Sequence, residues 1–279
     1  VINLPDFLPA VKSGLYIVAT PIGNRADITL RALDILQKVD LIYCEDTRTS
    51  RPLLETYTIK TPLKALHDYN EKGLIPEIIT RLQQGEKLAL ISDAGMPLIS
   101  DPGYKLVKAL QDNDLPITVI PGPSAGITAL VLSGWPTDRF MFAGFVDPKK
   151  LVEFKEIDAT LLFYESPHRL IKTLEAMQSV FVNRQIAVIR ELTKVYEEVV
   201  RGPIPQVLQT FQDRDKVLGE IVIVLSPPSS QDQSLSEQDI EIALREALTT
   251  HSLKDACTLV AGALGVARKD IYKRALQLK

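Results

Sequence analysis

Cysteine and histidine are scarce in this chain, two and three among 279 residues. That leaves too few soft ligands for a zinc cluster and no set of cysteines for a disulfide framework. Cys44 lies in an apolar run and Cys257 on a predicted helix, so a reducing, cytoplasmic setting fits best. Long apolar runs are missing too. No stretch of bilayer-spanning length is free of charged or turn residues, and the start, VINLPDFLPAVKSG, lacks a basic region followed by an apolar core. Neither a secreted nor a membrane-bound protein is expected. Positive charge is not in excess: 32 Lys and Arg face 35 Asp and Glu, a formal net charge of -3. A polyanion would have to be met by local basic clusters, not by a global field. With 46% hydrophobic and 24% charged residues, the chain has the makings of an ordinary folded protein with room for two domains and a small appendage.

Apolar runs alternate with helical periodicity, the pattern of an α/β protein. LYIVAT (15–20), VDLIYC (39–44), KLALIS (87–92) and TVI before PGPSAG read as strands of a mixed or parallel sheet. Asp27 is placed to cap a helix presenting Leu30, Leu33, Ile35 and Leu36, the polar EDTRTS reads as a break, and another helix falls near 75–84. A helix then starts at Pro121–Pro123 and runs through Leu132. After Gly134 come RFMFAGF, TLLFYES (160–166), a helix from His168, QIAVIREL (185–192), a helix near 204–212 and EIVIVL (220–225). This implies an N-terminal tail (1–13), α/β domains at 14–121 and 122–226 with PGPSAG as their joint, a linker (227–235) and a helical unit (236–279). In that last unit Leu253, Ala256, Cys257, Val260, Ala261 and Leu264 share one face, Gly265 is a stop, and RKDIYKRALQL forms a second helix, as in a helix-turn-helix. Its Arg268, Lys269, Lys273 and Arg274 can reach phosphates, although a basic face is more often solvated surface.

SDAGMPLISDPG (92–103) and PGPSAG (121–126) have the composition of two halves of one small-molecule pocket. Gly95 and Gly103 open backbone conformations closed to other residues, and Pro97 and Pro102 stiffen the loop between them. Following a buried strand, such a loop sits where open α/β sheets bind ligands. An isolated glycine is usually an ordinary tight turn; two such loops in succession favour a site.

The succession VATPIGN (18–24), DITLRAL (27–33), CEDTR (44–48), LHDYNE (66–71), SDAGMPLISDPG, PGPSA, FYESPHRL (163–170) and RELTK (190–194) resembles the ribosomal RNA small subunit methyltransferase I family. That family is the 2'-O-ribose methyltransferase branch of the tetrapyrrole methylase superfamily. The resemblance runs from about Leu15 to the end of the chain. It implies a two-domain tetrapyrrole methylase-like fold with S-adenosylmethionine as methyl donor in the interdomain cleft, and a homodimer. The implied acceptor is the 2'-hydroxyl of a cytidine in the decoding region of 16S rRNA in the small ribosomal subunit. By the family pattern, donor binding falls to Asp93, Ala94, Gly95, Met96, Ser124, Ala125, Tyr164, Leu192 and Ile221.

Methyl transfer to oxygen is an in-line displacement that needs alignment in a dry site and requires neither a metal nor a covalent nucleophile. The acceptor hydroxyl is a poor nucleophile, so a group that takes its proton helps. Asp46 and Glu165 rank first for that task, and Asn24, Arg48, His67, His168, Arg169 and Lys194 are candidates for holding the acceptor. For each of them a capping or salt-bridging role is at least as common. Arg51, Lys60 and Lys64 extend the basic set. VATPIGN carries one glycine, Gly23, so no dinucleotide fingerprint is present, and Arg25 stands where the family has a small or apolar residue. GFVDPKK runs directly into LVEFKEID where the family carries a longer basic stretch. Besides the rRNA ribose methyltransferase, two other readings compete: a tetrapyrrole or protein-side-chain methylase with the same donor, and an RNA-binding assembly factor that senses the donor.

Overall fold

The computed structural model describes residues 8–228, 237–264 and 268–276. Gly265 and most of the expected linker lie outside them. The chain divides into two units, Val1–Pro227 and Pro228–Lys279.

The first unit holds two five-stranded sheets. In the first, β1 (Gly14–Val18), β2 (Leu41–Cys44), β3 (Leu63–Ala65), β4 (Lys87–Ile91) and β5 (Ile117–Ile120) lie in the order β3-β2-β4-β1-β5. All of its pairings are parallel. Parallel strands are covered on both faces, which is why β1, β2 and β4 read as continuous apolar runs. Side chains nonetheless alternate. Tyr16 and Val18 enter one core with Leu33 and Leu36 of α1 (Leu30–Lys38). Leu15 and Ile17 enter another with Ile78 of α3 (Glu71–Gln83) and Leu106 of α4 (Tyr104–Gln111).

The second sheet orders β6 (Phe140–Phe145), β7 (Thr160–Glu165), β8 (Gln185–Arg190), β9 (Glu198–Pro203) and β10 (Ile221–Leu225) as β6-β7-β10-β8-β9. Only the β6–β7 pair is parallel. One face packs on α6 (Leu170–Val180) and α7 (Ile204–Gln212) through Phe163, Val188, Ile223, Leu174 and Phe211. The other receives α5 (Ala125–Ser133), whose Ala129 and Leu130 meet Leu162, Ile189 and Val222. The first sheet's β5 thus leads through PGPSAG into a helix that packs on the second sheet. Ile22, from the loop after β1, joins that same core.

Several elements differ from the sequence expectation. Thr29, not Asp27, caps α1: its Oγ1 accepts from Ala32 N at 3.0 Å, and Asp27 ends a short 3-10 turn, Arg25–Asp27. EDTRTS is not a break, because α2 (Thr47–Thr56) begins inside it with Asp46 as N-cap. β3, β9 and α4 were not expected: β3 is three residues long, and β9 is a half-exposed strand ending in Gly-Pro, without a continuous apolar run.

Among its described residues the second unit has three helices, α8 (Glu237–Thr250), α9 (Leu253–Leu264) and α10 (Arg268–Ala275), where two were expected. Leu244 and Ala247 pack with Ala256, Cys257, Val260, Ile271 and Ala275. The predicted face of α9 is therefore its core face, and Arg268, Lys269 and Lys273 of α10 are exposed.

Candidate active site

Three loops at the carboxyl ends of first-sheet strands meet. After β1, Thr20 is fully buried and exchanges backbone hydrogen bonds with Gly95 after β4 (2.9 and 3.1 Å). Its hydroxyl donates to Ser92 O at 3.1 Å. Gly95 has φ +84°, a conformation that favours glycine, and a Cβ there would stand 3.2 Å from Ile22 Cγ2. The same loop holds Leu98 (φ 72°) and Ser100 (φ 68°) at positive φ without glycine's freedom. Across from it, Glu191 (φ 53°) and Thr193 (φ 61°) are held likewise in the loop after β8. Strained backbone of this kind persists only where its surroundings fix it, and it gathers at ligand sites.

Between these loops lies a cavity of about 380 Å³, within the ordinary range for a small-molecule site. Its first-sheet wall is Asp93, Ala94, Gly95 and Met96, continuing through Ile99, Ser100 and Asp101. Ser124 and Ala125 form the start of α5. The second sheet supplies Tyr164, Leu192 and Ile221, with Phe145, Glu165 and Gly219 around them. The nine residues expected to bind the donor therefore line one cavity.

The charge in this cavity is one-sided. Burial raises the Asp93 carboxyl above its usual range, although its Oδ1 accepts from Asp46 N at 3.3 Å. Asp101 is pushed up to about 6, by burial first and then by the charge of Glu45. Glu45, itself raised by burial and by Asp93, stands behind them. A pocket in which Asp93 and Asp101 have no cation beside them among the described residues suits a cationic ligand, while its apolar walls and backbone groups suit the rest of a nucleoside.

The two carboxylates ranked first for proton removal are otherwise engaged. Asp46 caps α2, accepting from Arg48 N at 2.8 Å, and grips the Arg48 guanidinium at 2.6–3.1 Å. Those bonds hold its carboxyl down at about 2, too acidic for an effective base, and it does not line the cavity. Glu165 does line it, but Oε1 accepts from Ser166 N (2.6 Å) and Arg169 (2.8 and 3.0 Å), and Oε2 takes the Thr173 hydroxyl. Its geometry is that of an anchor for the start of α6.

None of the residues expected to hold the acceptor lines the cavity. Asn24 caps the 3-10 turn through Ala26 N (3.0 Å), and its own N–H donates to Thr193 Oγ1 at 3.0 Å. Arg48 is open to solvent, its side chain 89% exposed. His67 heads a turn pinned by Asn70 Oδ1 at 2.9 Å, and its Nδ1 is buried without a hydrogen-bond partner. Beside it Tyr69 is 98% exposed. His168 is exposed, and Arg169 is committed to Glu165. Lys194 bridges Glu191 (2.8 Å) and Glu220 (3.1 Å), so it ties two loops of the second sheet together. Arg25 likewise ties its turn to α2, donating to Thr56 Oγ1 at 2.9 Å. The PKK of GFVDPKK opens a 3-10 helix, Pro148–Phe154, seated by the buried Leu151. Asp101 was not singled out in the sequence; being the second Asp of SDAGMPLISDPG was its only mark.

Comparison with known proteins agrees with this geometry. The family model described as Tetrapyrrole (Corrin/Porphyrin) Methylases matches residues 14–208, and that described as RsmI C-terminal HTH domain matches 234–279. Ribosomal RNA small subunit methyltransferase I of Mesorhizobium japonicum is 41% identical, covering 96% of this chain and 93% of its own. The protein of the same name from Escherichia coli O157:H7 is 42% identical over 94% of each chain, and that of Bacillus subtilis 39% over 92% of each. Among solved structures, diphthine synthase aligns with a TM-score of 0.60 at 15% identity, over 76% of this chain and 89% of its own. Uroporphyrin-III-C-methyltransferase of Thermus thermophilus aligns at 0.55 and 19%, over 76% and 94%. These two share the fold. Fold, cavity and similarity along nearly the whole length agree: the chain belongs to the tetrapyrrole (corrin/porphyrin) methylase family, among its ribosomal RNA small subunit methyltransferase I members.

Proposed function

We propose that this protein transfers a methyl group from S-adenosylmethionine to the 2'-hydroxyl of a cytidine ribose in the decoding region of 16S rRNA. The observation that carries the reading is the cavity in which Asp93–Met96, Ser124–Ala125, Tyr164, Leu192 and Ile221 converge. Bound there, the donor would supply an activated methyl on a positively charged sulfur. The chain's own part is to hold that charge beside Asp93 and Asp101, to seat the nucleoside against Met96, Leu192 and Ile221, and to keep water out.

The acceptor ribose has to leave its stacked surroundings to reach such a cavity, with the flanking phosphates held outside. Arg48 and Arg51, exposed at the start of α2 beside Asp93, are suited to hold them. Tyr69 offers a stacking face on a turn already fixed by Asn70. The donor-only readings are less well supported, since a tetrapyrrole or side-chain methylase has no use for the tail that these relatives share.

A homodimer is part of the proposal. α5 is apolar all round yet leaves Ile127 and Val131 exposed, and the adjoining edge strand β6 exposes Phe140 and Met141. A second copy covering this face would account for it, and Val131→Glu is expected to shift the protein toward monomer in sedimentation. Among the described residues no helix is long and apolar enough to cross a membrane. A cytoplasmic enzyme acting on small subunits fits that and the two free cysteines.

The test is transfer of labelled methyl from S-adenosylmethionine to small subunits lacking their own 2'-O modification, followed by nuclease mapping. Label on one cytidine ribose of the 16S decoding region is the expected result. Donor binding without transfer to RNA would move the assignment to a small-molecule or protein methylase.

A further inference from the structure

We infer that a second cavity, between α1 and the first sheet, is a binding site for a phosphorylated ribose. It holds about 310 Å³ and shares no lining residue with the donor cavity. Tyr16 of β1 and Thr118 of β5, partners in register, line it from the sheet. Arg31 and Asp34 come from α1, and Lys12 from the chain entering β1. Arg31 belongs to DITLRAL, and the methyl transfer gives it no task.

The charge here is opposite to that of the donor cavity. Lys12 and Arg31 bring two cations, and among the described residues neither has an ion pair. The Nε of Arg31 is buried without a hydrogen-bond partner. Asp34 stands three residues further along α1, where a helical ion pair could form, yet its Oδ1 is bound to Lys38 Nζ at 2.5 Å. The carboxylate of the wall is thus engaged by a third cation. A guanidinium nitrogen kept from water with its hydrogen bond unmade is costly, and such a group calls for a reason. Arg31 ties no other element in place, so a ligand supplies that reason.

The arrangement matches a phosphate group. The planar fork of a guanidinium takes two oxygens side by side, and an ammonium takes a third as a point charge. Lys12 starts from fixed backbone, because the Tyr16 hydroxyl accepts from Lys12 N at 2.9 Å and donates to Lys12 O at 2.8 Å. Thr118 adds a hydroxyl with no partner among the described residues. A phosphate alone fills only part of the space, and Ile35 and Pro116 give apolar wall for the attached sugar. Two sources carry this chemistry. One is the backbone of an RNA substrate, which rests on the proposed function; the other is a free phosphorylated sugar or nucleotide, which does not.

The experiment follows ribose 5-phosphate by phosphorus NMR as it is titrated with the full chain, saturated with S-adenosylmethionine so that the first cavity is filled. Inorganic phosphate should compete and excess ribose should not. Arg31→Met, which keeps the stem and removes the guanidinium, should weaken binding about tenfold or more, and Lys12→Gln about threefold. Donor affinity should stay as in wild type. Arg31→Met should also unfold at urea concentrations no lower than wild type, since no partner is stranded. No signal change with wild type, or equal binding by wild type and both variants, would overturn the site. Loss of stability in Arg31→Met with ribose 5-phosphate binding intact would make Arg31 a structural residue and overturn it too. Filter binding to small-subunit RNA across a salt series then separates the sources. A salt slope lower by about one phosphate contact in Arg31→Met assigns the site to RNA, and unchanged RNA binding assigns it to a free phosphorylated ligand. Absence of RNA binding by the wild type would instead overturn the proposed function, and the NMR result would still decide the site.

Discussion

Asn24 donates its backbone N–H to Thr193 Oγ1 at 3.0 Å, and this bond ties the loop after β1 in the first sheet to the loop after β8 in the second. Gly23 makes the approach possible. A Cβ on Gly23 would fall 2.8 Å from Leu192 O and 2.9 Å from Thr193 Oγ1, both closer than packed atoms tolerate. Leu192 lines the cavity, so the width of that cavity depends on a residue with no side chain. Gly23→Ala is therefore expected to destabilise the protein by about 1–3 kcal/mol, the usual cost of overpacking, and to weaken donor binding. Urea denaturation and calorimetry read the two effects. Unchanged values in both would mean that the two loops separate without cost.

Donor and RNA contacts are expected to separate between two neighbouring residues. Asp93→Ala removes a wall carboxylate of the cavity and should abolish measurable donor binding. Arg48, at the start of α2 and open to solvent, should leave donor binding intact when changed to Ala. Its loss should weaken RNA binding and lower the salt dependence of that binding by about one phosphate contact. Equal loss of donor affinity in the two variants would dissolve this division of labour.

Glu165 is expected to act on stability. Glu165→Ala strands Thr173, Ser166 N and Arg169, although Arg169 is half exposed and can turn to water. With hydrogen bonds to a charged group at stake, a loss of about 1–3 kcal/mol is expected. Thermal and urea unfolding measure it. If the variant unfolds like wild type while methyl transfer disappears, Glu165 belongs to the chemistry instead.

Stability should also fall in acid because of an ion pair that does not line the cavity. Arg214 and Arg190 bind Glu198 on β9 and hold its carboxyl at about 2. A carboxyl lowered on folding stabilises the native state above its unfolded value, and the contribution disappears as pH falls toward the folded one. Glu198→Gln should therefore flatten the pH dependence of unfolding between about pH 4.5 and 2, and cost ~2 kcal/mol at neutral pH. The comparison needs only urea midpoints of the two proteins across that range. Parallel curves would show that the guanidinium pair adds nothing.

Much of the cavity was legible in the sequence because its wall is made of local devices. A strand of continuous apolar residues, Lys87–Ile91, predicts burial on both faces, and the glycines and prolines directly after it predict a stiff loop at its carboxyl end. The nine residues expected around the donor accordingly share one cavity. The acceptor side was far less legible. Asp46, Arg48, Glu165, Arg169 and Lys194 carry the right chemistry, but their partners decide what they do. Asp46 and Arg48 are two residues apart and bind each other, and no periodicity distinguishes that from two free groups.

By itself, then, the sequence determined which strands are buried, where the chain must turn, and which loop can approach a ligand, because these follow from side-chain polarity and backbone freedom over a few residues. It could not rank one carboxylate above another. The effective acidity of Asp101, Asp46 and Glu165 depends on burial and on charges brought from other strands and helices. Glu45 reaches Asp101 across 56 positions of chain only because β2 and β4 are neighbours in the sheet. Electrostatic energy depends on distance and desolvation in the folded molecule, and only the tertiary structure fixes those two quantities.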